Sequence, residues 1–147
     1  MPAALAALPG RAVDAALGDS SLRLVQAALP ATAGRGDTLD IHLTWQRTAA
    51  EPDYSRFVHL IDASGNKVAQ VDGVVADALG PLPMGSWPLG RPVDDVLALA
   101  LPPDLAPGTY SVVAGLYDWQ TGARLAATGS AATPDGAVLL GTVSVKP

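Results

Sequence analysis

LPPDLAPGTYSVVAGLYD, residues Leu101 to Asp118, combines a proline-punctuated entry, a Pro-Gly turn and a run whose side chains alternate. Tyr110, Val112, Ala114 and Leu116 fall on one face, and Ser111, Val113, Gly115 and Tyr117 on the other, which is the period of two of a β-strand. Pro107-Gly108 supplies the turn before it, because proline presets φ and glycine accepts backbone angles that other residues avoid. The rest of the chain has to provide strands that pack on this one.

Upstream, Leu39, Ile41, Leu43 and Trp45 point one way and Asp40, His42, Thr44 and Gln46 the other, a half-buried antiparallel strand with one wet face. Tyr54 to Asp62 and Lys67 to Val71 form a hairpin around Ala63-Ser64-Gly65-Asn66, with Gly65 in the left-handed position of the turn. Val13 to Leu17 and Ser21 to Leu29 are two earlier candidates, the first of them alanine-rich and equally readable as a helical turn. Pro30 to Asp37 reads as a loop, and Gly73 to Pro92, with Met84 and Trp87, as a long one of the kind that tends to carry function. Val93, Asp95, Leu97, Leu99 and Leu101 share one side of the next strand. After the hairpin turn Asp118 to Gly122, Ala123 to Ala127 returns a short strand and Ala137 to Val145 closes the domain. Seven to nine short strands at spacings of about 8 to 12 residues predict an all-β fold, a two-sheet antiparallel β-sandwich.

The 147 residues suit a single domain, residues 11–147, after a flexible lead-in, residues 1–10, that ends at Pro9-Gly10. The absence of cysteine excludes disulfides, thiolate catalysis and Cys-based zinc sites. A net charge of −5, with Lys and Arg scattered, argues against a nucleic-acid partner and against an anionic membrane surface. Met1 to Leu8 is apolar but lacks a basic start and is too short to span a bilayer, so neither a signal peptide in this chain nor direct membrane insertion is expected.

Three blocks then bear on function: FVHLIDASGNKVAQVDG (Phe57 to Gly73), Trp87-Pro88-Leu89-Gly90, and LPPDLAPGTYSVVAGLYDWQTGARL (Leu101 to Leu125). Together they resemble a domain found C-terminal to multi-spanning membrane glycosyltransferases of Chloroflexi-like bacteria, which also occurs as stand-alone or tandem extracytoplasmic modules. The resemblance spans about Val13 to Val145. It implies an immunoglobulin-like sandwich on the outer side of a membrane, next to glycan-handling machinery that includes a membrane glycosyltransferase part of the same polypeptide. It implies no catalytic residue and no cofactor.

His59 shares a strand face with Phe57 and Ile61, and is either a half-buried histidine satisfied by a backbone or hydroxyl partner or the centre of a polar cluster with Gln70 or Asp72. His42 and His59, the two histidines, have no metal-ligand spacing, so no metal site is expected. No serine sits in a nucleophile elbow. Asp94 and Asp95, with Asp72, would suit calcium only if a bulge turned both neighbours to one side, and the expectation is strand-edge charges that block sheet-to-sheet pairing. Trp45 continues an apolar face and is expected in the core. Trp87 and Trp119 fall in loops, where Trp87 either plugs an open sheet edge or stacks on a sugar, and Trp119 is expected to be exposed. The reading is thus a non-catalytic extracytoplasmic accessory module that binds or positions a glycan through Trp87, Trp119, His59, Gln70 and Asp72. The alternative is a structural spacer or protein-interaction module without a small-molecule ligand.

Overall fold

The computed structural model describes residues 10–18, 22–48, 54–77, 80–81 and 87–147. Expectations that fall on Met84, and on the lead-in before Gly10, lie outside these residues. Gly10, read from sequence as the end of the lead-in, is the first residue of a strand.

Eight strands of seven to ten residues build the domain: β1 (Gly10–Leu17), β2 (Leu22–Ala28), β4 (Thr38–Arg47), β5 (Ser55–Ile61), β6 (Lys67–Gly73), β9 (Val93–Ala100), β10 (Gly108–Tyr117) and β13 (Ala137–Lys146). Five pieces of two or three residues join them: β3 (Thr32–Gly34), β7 (Ala76–Asp77), β8 (Gly80–Pro81), β11 (Ala127–Thr128) and β12 (Ala132–Thr133). The first sheet runs β11-β1-β2-β4-β9 and the second β12-β13-β10-β5-β6, while β7 and β8 form a small ribbon within the long loop. Counted from β2, the first, second and fifth of seven long strands share one sheet, and the third, fourth, sixth and seventh share the other. That is the Greek-key division of an immunoglobulin-like sandwich.

The alternation read from the sequence is what turns each sheet inward. Leu39, Ile41, Leu43 and Trp45 of β4 lie opposite Leu99, Leu97, Asp95 and Val93 of β9. Across the interior they meet Tyr110, Val112, Ala114 and Leu116 of β10, and all four β10 side chains are buried. Burial at about 25 cal/mol per Å² makes this interface the main source of stability.

Two expectations change. Pro30 to Asp37 is not a plain loop: Pro30 has no N–H to continue pairing with β4, so the chain leaves the first sheet, and β3 then pairs in parallel with the end of β13 through Thr32↔Ser144, Ala33↔Val145 and Gly34↔Lys146. Among the described residues the sandwich is therefore antiparallel except at this junction. Ala123 to Ala127 returns as a single bridge, Arg124↔Tyr117, before β11 joins the first sheet.

The turn before β10 is locked by the ring that follows it. The Tyr110 hydroxyl donates to the Ala106 carbonyl at 2.5 Å, a tyrosine corner at the entry to the sixth long strand. Tyr110→Phe keeps the buried ring and removes this bond, so a loss of about 1 kcal/mol is expected in urea unfolding. A change below about 0.3 kcal/mol would leave the hydroxyl no structural role.

Candidate functional site

The second sheet carries on its outer face a groove that begins with a packing accident of one glycine. Gly115 of β10 has no side chain, and a Cβ there would lie 2.4 Å from the Phe57 ring of β5 and 3.0 Å from the Gly136 carbonyl. The Phe57 ring instead occupies the space over Gly115, and the Arg124 guanidinium covers it at 4.4 Å from the centroid. Phe57 is thus 2% exposed although it points away from the core. His59 follows two residues later on the same face, its ring 4.6 Å from that of Phe57, and Tyr117 stands on the other side at 6.3 Å.

Two walls rise from this floor. One is β6, where Gln70 lies opposite His59 and Asp72 opposite Phe57 in the ladder. Lys67 Nζ donates to Gln70 Oε1, and Gln70 Nε2 donates to Asp72 Oδ1 at 3.3 Å, so three side chains form one hydrogen-bonded ridge. The other wall is the connection from β10 to β13. Its turn is fixed by Gly122 N–H donating to the Asp118 carbonyl at 2.7 Å, Gln120 N–H donating to the Asp118 carboxylate at 2.8 Å, and a left-handed Gly122 at φ 77°. Leu125 N–H then donates to the Leu116 carbonyl at 2.9 Å, which holds Arg124 over the sheet. Arg124 Nη1 donates to the Asp135 carbonyl at 3.2 Å and lies 3.6 Å from its carboxylate, and the Thr133 hydroxyl donates to that carboxylate.

Between the walls the groove has two lobes. The larger, about 560 Å³, is floored by His59, Ile61, Val113 and Leu139, and the smaller, about 280 Å³, by Phe57 and Tyr117. His59, Lys67 and Arg124 line both. The Thr133 hydroxyl, ahead of the other contributions, holds Asp135 below the usual carboxylate range, so it is ionised at neutral pH. Burial, then the charges of Lys67 and Arg124, pushes His59 below its ordinary 6.5, so its ring is neutral there.

The His59 shift has a consequence for stability. Below 6.5 the unfolded chain takes up a proton that folded His59 still refuses, so the unfolded state binds more protons. Stability should therefore fall as pH drops below that value and level off once the folded-state value is passed. Asp14, Asp62 and Asp135, also lowered, act in a separate window below 3.8. Urea midpoints of His59→Gln should lack the upper slope, and a slope equal to that of the unaltered protein would refute the assignment.

The sequence-derived candidates divide cleanly. The fold gathers His59, Gln70 and Asp72 on one face, and Trp119, 62% exposed, sits on the Asp118–Gly122 turn that ends at the smaller lobe. His59 meets the Phe57 ring. Trp87 is elsewhere: it is 2% exposed within the core cluster, and its carbonyl accepts from Arg47 Nε at 2.9 Å. Of its two readings, this placement is the plug, and its ring is closed to a ligand. Local sequence gave Phe57, Tyr117, Lys67, Arg124, Thr133 and Asp135 no role in the groove, although the alternation of β5 does place Phe57 beside His59.

Asp95 corrects the strand-edge expectation. It is fully buried, receives Arg56 Nε at 2.8 Å and Nη2 at 3.0 Å, and also accepts from the Trp45 indole N–H at 3.2 Å and Ala76 N–H at 3.1 Å. Neither edge protection nor calcium binding describes a carboxylate with four donors already in place. Among the described residues no three His, Asp or Glu side chains gather as a metal site.

No protein-family model matches the sequence, and a search of curated proteins finds no relative. Among solved structures, the chain is similar to the C-terminal domain of Wzt, with 10% identity and a TM-score of 0.60 over 96% of this chain and 79% of that one. It is also similar to a Niemann-Pick type C2 protein from Japanese carpenter ant, with 4% identity and a TM-score of 0.50 over 95% of this chain and 98% of that one. At these identities the likeness establishes the β-sandwich fold alone.

Proposed function

We propose that this domain is a non-catalytic accessory module that works outside the cytoplasm beside a membrane glycosyltransferase and binds carbohydrate in the groove over His59. The observation that carries the reading is the groove's construction: a ring-lined floor between two ridges, Lys67–Gln70–Asp72 and Arg124–Asp135–Thr133, whose polar groups are already ordered by one another. A sugar presents both a C–H face and many hydroxyls, and pre-ordered donors and acceptors lower the entropy cost of engaging them. The blocks from Phe57 to Gly73 and Leu101 to Leu125, which carry the resemblance to glycosyltransferase-linked domains, also supply the floor apart from Leu139, one ridge and Arg124 of the other. A binding role is favoured over a reaction because His59 packs on an aromatic ring, not on a hydroxyl that it could activate.

The test is a glycan array followed by calorimetric titration. Gln70→Ala, which breaks one ridge at its middle, should weaken affinity for the bound glycan about five- to tenfold without shifting the melting temperature. Absence of glycan binding at millimolar concentration would overturn the proposal. A protein-interaction module is the rival reading, favoured by the exposed apolar side chains Val74, Leu89 and Trp119, at 47%, 58% and 62%. Loss of partner capture in Leu89→Ser, with glycan binding absent, would select it.

A further inference from the structure

The groove is not electrostatically uniform, and this carries its ligand chemistry one step further. His59, Lys67 and Arg124 are the three residues common to both lobes, so two cationic groups flank the neutral imidazole where the lobes join. Among the described residues Lys67 forms no salt bridge, since its hydrogen-bond partner is the uncharged Gln70. Arg124 meets Asp135 through Nη1, and its contact with Phe57 is to the face of the ring. Of the carboxylates, Asp72 lines the smaller lobe alone and Asp135, 3.6 Å from Arg124, the larger alone. In a chain of net charge −5, the charged residues that line both lobes are these two cations.

We infer that the junction of the two lobes receives an anionic substituent of the bound saccharide, a carboxylate of the kind a hexuronic acid carries, held between Lys67 and Arg124 above His59. This rests on the carbohydrate reading above. Guanidinium and ammonium groups suit such an oxyanion differently, Arg124 by directed N–H donation and Lys67 as a point charge.

The experiment titrates the domain with a hexuronic-acid oligosaccharide and with its carboxyl-reduced counterpart, which exchanges only the carboxylate for a hydroxymethyl group. At low salt the acidic ligand should bind about fivefold tighter, the preference should shrink in high salt, and Lys67→Met should abolish it while Lys67→Arg retains it. Equal affinity, or tighter binding of the reduced ligand, overturns the inference and leaves the carbohydrate proposal standing. A hexose phosphate that outcompetes the hexuronate overturns the carboxylate in favour of phosphate, and binding of none of the three at millimolar concentration overturns both readings.

Discussion

Asp95→Ala is expected to lower stability by about 3–5 kcal/mol, the usual result of stranding a buried charge. The substitution removes the partner of the Arg56 guanidinium inside the sandwich, and with it the acceptor for the Trp45 indole and the Ala76 amide. Arg56 is 5% exposed and cannot reach water without opening the packing between β5 and β9. The control is the double variant Arg56→Met/Asp95→Leu, which replaces both charges with apolar groups of similar size and should recover most of the loss, because a buried ion pair contributes little beyond what hydrophobic packing would. Urea denaturation of the two variants measures both. A single-variant loss under about 1 kcal/mol would mean that Arg56 finds water, and that the pair is not the closed network described.

The second large effect is that of Trp87→Ala, expected to cost about 3–5 kcal/mol while leaving glycan affinity unchanged. Trp87 returns the long loop to the core, and its backbone is tied to the end of β4, where Arg47 Nε donates to the Trp87 carbonyl and Gly90 N–H donates to the Arg47 carbonyl at 2.8 Å. Truncation leaves a cavity the size of an indole in the core cluster. Thermal melting alongside glycan titration separates the alternatives: a large fall in affinity at constant melting temperature would return Trp87 to the binding site. Trp119→Ala should behave in the opposite way, with little change in stability because its ring is already in solvent.

What the sequence made legible was everything that depends on period. Leu39 to Trp45 and Tyr110 to Leu116 declared their faces because a strand alternates strictly, and the Pro107-Gly108 turn and Gly65 declared theirs because few residues accept those angles. The hairpin register likewise put Gln70 and Asp72 beside His59. What stayed hidden depends on partners distant in the chain. Asp95 falls in the inward row of its own strand, but a charge there makes sense only once Arg56, 39 residues earlier, is known to face it. Trp87 in a proline-rich loop carries no periodicity that could distinguish plug from exposed ring. Arg124 reaches the groove because the β10–β13 connection doubles back across Phe57, a fold-level fact that no local pattern encodes.

The short parallel pairing of β3 with β13 gives the domain a directional response to pulling. Tension that arrives at β3 from its N-terminal side and at β13 from its C-terminal side acts along the strands in opposite directions. It must break the Thr32, Ala33 and Gly34 pairings together, where an antiparallel hairpin would unzip one at a time.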